Sequence, residues 1–148
     1  MKSANEWQTA LPEFLLEAEM LLAKSQECLN HLHLIRNDSD AIDCMKTCLA
    51  KIAEKAEGLS LHAISQFCRL IECPMTNAVS PMQLHDQALN ALHDCLTLVA
   101  WQLALIDPRT GELSLDDGEQ TRLIEAVIAQ IPQKEIGPHR AFIKRFEC

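Results

Sequence analysis

Hydrophobic side chains recur along this chain at alternating spacings of three and four residues, which is typical of helices that bury one face. The clearest stripe lies in a predicted long helix over about residues 12–36, at Phe14, Ala18, Leu21, Ser25, Cys28, Leu32 and Ile35. A short helix carrying Trp7 and Leu11 is expected before it, because Pro12 suits the first turn of a new helix.

The pattern then predicts two helices separated by a sharp corner. The first covers about residues 40–57, and residues 37–39 offer its N-cap. Gly58 ends this helix because glycine is favoured just past a helix end. The second helix runs over about residues 61–73, where Pro74 stops it.

Two more helices are expected in the second half of the chain. Ser80-Pro81-Met82-Gln83 combines an N-cap, a proline and a capping-box glutamine, so a helix begins there and continues to about residue 106. Past Cys95 this helix is apolar nearly all round, so we expect other parts of the chain to cover both sides of it. A fifth helix follows over about residues 118–131.

The fold class follows from these helices and the short connections between them. Short connections imply antiparallel neighbours, and 148 residues suit one domain. The sequence therefore predicts an all-α fold: an up-down antiparallel four-helix bundle in residues 1–133, with an additional C-terminal helix and short terminal helices. Residues 134–148 carry four Lys and Arg against two Asp and Glu and include Phe142 and Phe146. This segment is expected to pack on the bundle or to lead to a linker.

Composition narrows the possible functions. The net charge of −8 argues against nucleic acid as a partner, and no apolar run approaches the roughly 20 residues of a membrane span. The seven cysteines include no Cys-x-x-Cys pair and are expected to be reduced thiols, as in a cytoplasmic protein.

The stretch from Cys48 to Glu72 reads CLAKIAEKAEGLSLHAISQFCRLIE. It resembles the centre of a histidine phosphotransfer domain, the helical bundle that passes phosphoryl groups in two-component signalling. That family shows His-x-x-Lys-Gly, then an apolar-Gly-Leu corner, then a helix ending near Leu-x-x-Leu-Glu. Here the corner reads Leu59-Ser60-Leu61, and a further helix after the four-helix core is similar to the phosphotransfer domain of chemotaxis-type histidine kinases.

Under this resemblance the phosphoacceptor position falls on Ala50, and the Lys-Gly pair falls on Ala53 and Glu54. Alanine carries no nucleophile, and Glu54 adds a negative charge that repels a phosphoryl group. The resemblance therefore implies a non-catalytic cytoplasmic adaptor, without metal or cofactor, that binds a response-regulator receiver domain or a histidine kinase.

The expected contact surface is the outward face of the helix over about residues 40–57 together with two side chains of the next helix. Its members are Lys46, Thr47, Ala50, Ala53, Glu54, Glu57, Gln66 and Arg69.

Two other functions stay open from the sequence. One is a divergent, active phosphotransfer protein that uses His62 or His85, although His85 lies on an apolar stripe and is expected to be partly buried. The other is a structural or assembly subunit unrelated to phosphorelay. His31, His33 and His93 are expected to be solvated. Cys44 and Cys48 have the i, i+4 spacing of two zinc ligands, but no second close pair accompanies them.

Overall fold

A computed structural model describes residues 4–78, 84–107, 109, 110, 113 and 117–132. Its helices are α1 (Ala4–Leu34), α2 (Ser39–Gly58), α3 (His62–Thr76), α4 (Asp86–Leu105) and α5 (Asp117–Gln130). The described part of the chain is thus built from helices, which confirms the predicted all-α class.

The helices pack as a bundle around one apolar core. α1 contacts α2 and α4, and α2 also contacts α3. α3 and α4 contact each other less extensively than the other neighbouring pairs among α1 to α4 do, and α5 contacts both of them. α5 is therefore the predicted additional helix. These contacts leave the direction of each helix open, so the up-down order stays a prediction.

The turn between α1 and α2 is held by Asp38. Its carboxylate accepts hydrogen bonds from the backbone N–H groups of Asp40 at 3.0 Å and Ala41 at 3.3 Å, which confirms the N-cap predicted within residues 37–39. His31 Nε2 lies 2.6 Å from the same carboxylate. The bond from Ala41 and the contact with His31 hold the pKa of Asp38 below its usual value, so the charged form caps the helix.

A second set of contacts joins the end of α1 to the start of α4. Arg36 Nη2 donates to Asp86 Oδ1 at 2.7 Å, and the backbone N–H of Leu84 donates to the Arg36 carbonyl at 3.2 Å. Leu84 itself is fully buried. Leu84 and the first turn of α4 are therefore anchored beside the α1–α2 turn.

Pro12 does not separate two helices as predicted, because α1 is continuous from Ala4 to Leu34 with Pro12 inside it. A proline in a helix interior costs about 3 kcal/mol. Leu11 and Phe14 flank it and are 2% and 4% exposed, and burying each such side chain contributes about 1.5–3 kcal/mol. The two buried neighbours offset the proline, and the short N-terminal helix merges into α1.

Three other predicted boundaries are wrong by a few residues. α3 continues past Pro74 to Thr76, because Cys73, Pro74 and Met75 are all buried in the core. α4 begins at Asp86, later than predicted, and the Ser80–Gln83 motif lies outside the described residues. α1 ends at Leu34, two residues before the predicted end, and Ile35, predicted on the buried stripe, is 49% exposed.

The corner between α2 and α3 is a Schellman-type helix end. Leu61 N donates to the Ala56 carbonyl at 2.8 Å and Ser60 N donates to the Glu57 carbonyl at 3.0 Å. Ser60 has φ of 61°, the left-handed conformation that glycine usually supplies. Gly58, predicted to end α2, is instead its last helical residue. The glycine and the strained position therefore lie two residues apart.

We expect Ser60→Gly and Gly58→Ala each to raise the free energy of unfolding by about 0.5–1 kcal/mol. Ser60→Gly removes a side chain from a left-handed position. A Cβ at Gly58 meets nothing within 4 Å, so alanine there restricts only the unfolded chain. Urea denaturation of the four proteins (parent, two single variants, double variant) measures this. Ser60→Ala is the control and should give no gain, because its Cβ keeps the strain; an equal gain would refute the left-handed corner.

Candidate functional site: the outer face of α2 and α3

Most residues of the predicted contact surface are exposed or half-buried. Thr47, Glu54 and Glu57 on α2 are exposed, as are Gln66 and Arg69 on α3. Lys46 and Ala50 are half-buried. Because α2 and α3 pack along each other, these side chains lie on neighbouring helices. We call these exposed and half-buried side chains of the two packed helices the outer patch: Lys46, Thr47, Ala50, Glu54, Glu57, Gln66 and Arg69.

Ala53 does not belong to this patch, because it is fully buried. Lys55 of α2 pairs with Glu17 of α1 at 3.0 Å, so that flank of α2 faces α1. Ala53 lies well round the helix from Lys55, on the flank where α3 packs. The prediction that Ala53 faces outward was wrong because α2 is covered from two sides and its buried arc is wide.

The charges of the outer patch are mixed. Lys46 and Arg69 are positive, and Glu54 and Glu57 are negative. Ala50, at the position where the resemblance places the phosphoacceptor, has no side-chain donor or acceptor. Glu54 follows one turn later on the same exposed side. The patch thus offers polar contacts around a small apolar centre and no concentrated positive charge for a phosphoryl group.

His62 lies beside this patch. Its side chain is 70% exposed and its Nδ1 is 3.2 Å from a carboxylate oxygen of Glu57. His85, predicted to be partly buried, is exposed, because it precedes α4 as the N-cap residue. His85 Nδ1 is 3.5 Å from Arg36 Nη1. His31, His33 and His93 are exposed as predicted.

The free thiols of the described residues are buried or half-buried. Burial raises the pKa of Cys68 and of Cys95 to about 12. Burial and a hydrogen bond with Cys44 raise the pKa of Cys28 to about 12. These thiols stay protonated at neutral pH and are weak nucleophiles. Cys73 is disulfide-bonded, so the prediction of reduced cysteines is wrong for this residue.

The described residues show neither a metal site nor a membrane span. No group of three or more His, Cys, Asp or Glu side chains there could hold a metal ion. No helix in that part of the chain is long and apolar enough to cross a membrane.

Comparison with known proteins gives no further identification. No protein-family model, no curated protein and no solved structure matches this chain. The interpretation of the outer patch therefore depends on its own geometry and on the resemblance of residues 48–72.

Proposed function

We propose that this protein is a non-catalytic signalling adaptor of the phosphotransfer-domain type, acting in the cytoplasm. Its outer patch binds a response-regulator receiver domain or a histidine kinase of a two-component or chemotaxis-type system. The adaptor occupies a surface that a phosphate-carrying domain would otherwise use, or it scaffolds the signalling complex.

The observation that carries this proposal is the corner between α2 and α3. The family keeps glycine at the middle of its apolar-Gly-Leu corner, and here Ser60 adopts the left-handed backbone that explains such a glycine. The likeness is one of backbone shape, since the residue itself is serine and not glycine. It supports the register of the resemblance in which Ala50 stands at the acceptor position.

The partly exposed position of Ala50 also supports a docking role. A small side chain at the centre of a patch with polar neighbours allows close approach of a partner backbone, while Thr47, Gln66 and Arg69 supply hydrogen bonds at the rim. The patch is small and lacks a large aromatic anchor, so we expect transient binding in the micromolar range.

Ala50→Arg should weaken binding at least tenfold, which is about 1.4 kcal/mol, because a long charged side chain fills the centre of the patch. The measurement is isothermal titration against purified receiver domains and kinases from the source cell. Ala23→Arg is the matched control, because it introduces the same side chain at an exposed position of α1. Circular dichroism checks that both variants stay folded.

Each outcome separates this proposal from its rivals. If Ala50→Arg and Ala23→Arg bind every partner like the parent, the outer patch is not a docking site and the protein is a structural subunit. Incubation with a phosphodonor kinase tests the active-carrier alternative, for which the exposed His62 and His85 are the candidates. Stoichiometric acid-labile phosphate on the parent, lost in His62→Gln or in His85→Gln, would overturn the adaptor proposal.

A further inference from the structure

A second surface of the bundle is more apolar than the outer patch. α4 and α5 enclose a groove of about 480 Å³ lined by Asp94, Thr97, Leu98, Trp101, Glu119, Gln120 and Leu123. Trp101 is 62% exposed. Leu105, one turn further along α4, is 52% exposed. The apolar floor is therefore open to solvent along the C-terminal half of α4, where the sequence predicted covering on both sides.

The two helices that form this groove are acidic. α4 contains two aspartates and no Lys or Arg. α5 contains one aspartate, two glutamates and one arginine, Arg122. Arg122 is already paired with Glu119. Among the described residues, the ion-pair partner of Asp94 on the α4 side is the neighbouring His93, whose Nδ1 lies 3.6 Å from its Oδ1. An apolar floor between acidic walls is suited to an amphipathic segment with aromatic anchors and basic neighbours.

One stretch of this chain has that chemistry. Residues 134–148 read KEIGPHRAFIKRFEC, with Phe142, Ile143 and Phe146 among Arg140, Lys144 and Arg145. This stretch follows α5 after three residues, and Leu123 lies about 11 Å before the end of α5 at a rise of 1.5 Å per residue. A segment of 15 residues spans that distance even as a helix. Attachment to α5 also raises its effective concentration at the groove to the millimolar range.

We propose that the groove between α4 and α5 is an intramolecular docking site for residues 134–148. Phe142 and Phe146 pack on Trp101 and Leu98, and the basic side chains face Asp94. This proposal is independent of the outer patch, which lies on α2 and α3.

Trp101 provides the readout. The chain has two tryptophans, so Trp7→Phe leaves Trp101 as the only one. In that full-length background, Phe142→Ser/Phe146→Ser should raise the acrylamide quenching constant of Trp101 about twofold, because the segment no longer shields the indole. Leu16→Ser/Met20→Ser is the control, since both side chains are exposed on α1, and it should leave quenching unchanged.

Charge provides an independent test. Asp94→Lys should raise the Trp101 quenching constant as Phe142→Ser/Phe146→Ser does, whereas Asp43→Lys, an equal charge change on exposed α2, should not. Unchanged quenching of Trp101 in both Phe142→Ser/Phe146→Ser and Asp94→Lys would overturn the proposal. Sedimentation over a hundredfold concentration range completes the test. Shielding that is lost on dilution together with a dimer-to-monomer transition would assign the groove to a second copy and would equally overturn it.

Discussion

Ala53→Lys is expected to lower the free energy of unfolding by about 3–5 kcal/mol, a large share of the total stability of a domain this size. Ala53 has no exposed surface and lies where α3 packs on α2. A lysine there either buries an unpaired ammonium group or pushes the two helices apart, and both are costly. The loss should appear as a lower urea midpoint.

The neighbouring residue gives a matched control for this prediction. Glu54 is exposed, so Glu54→Lys introduces the same side chain one position on and should change stability by no more than about 0.5 kcal/mol. Ala53→Leu separates size from charge and should cost about 1–3 kcal/mol. If Ala53→Lys lowered the free energy of unfolding no more than Glu54→Lys does, Ala53 would lie on the surface. It would then belong to the outer patch, as the sequence predicted.

The burial of Ala53 bears directly on the proposed function. The resemblance aligns the lysine of the phosphotransfer motif with Ala53, which is fully buried in this bundle. Restoring an acceptor therefore requires Ala50→His with Glu54→Gly and leaves Ala53 unchanged. Under the resemblance, the difference from the family motif at this position is one of burial as well as of residue type.

Much of the fold followed from the sequence because its signals are local. The three-and-four spacing located all five helices, and the N-cap of α2 was placed within residues 37–39 because N-caps use a short list of side chains. Pro12 was misread because its effect depends on the burial of Leu11 and Phe14. That burial is a property of the whole bundle and is not visible in a helix-start motif.

The site was harder to predict than the helices for a related reason. A helical wheel centred on Ile52 places Ala50 on the far side, and Ala50 is indeed half-exposed. The wheel does not show how far the buried face of α2 extends toward α1 and toward α3. Ala53 was therefore predicted to be exposed. The sequence contained one sign of the groove beside Trp101, which is that α4 is apolar nearly all round past Cys95. That signal predicts covering, but it does not identify the segment that covers.

Gln102→Met is expected to raise the free energy of unfolding by about 1–3 kcal/mol. Gln102 on α4 is fully buried, and neither its Nε2 nor its Oε1 has a hydrogen-bond partner among the residues that the structure describes. The folded state has therefore lost the hydration of an amide without gaining a bond in return. Methionine has a similar length and flexibility and carries no strong donor or acceptor, so it fills the same space without that cost.

Gln87→Met on the exposed part of α4 is the control, because it makes the same change in water and should shift stability by no more than about 0.5 kcal/mol. Thermal and urea unfolding of both variants would decide the matter. A loss of stability in Gln102→Met would show that the amide is bonded in solution. Gln102 would then be a buried polar contact that holds α4 in place, and Gln102→Glu should cost still more, since it would bury a charge at the same point.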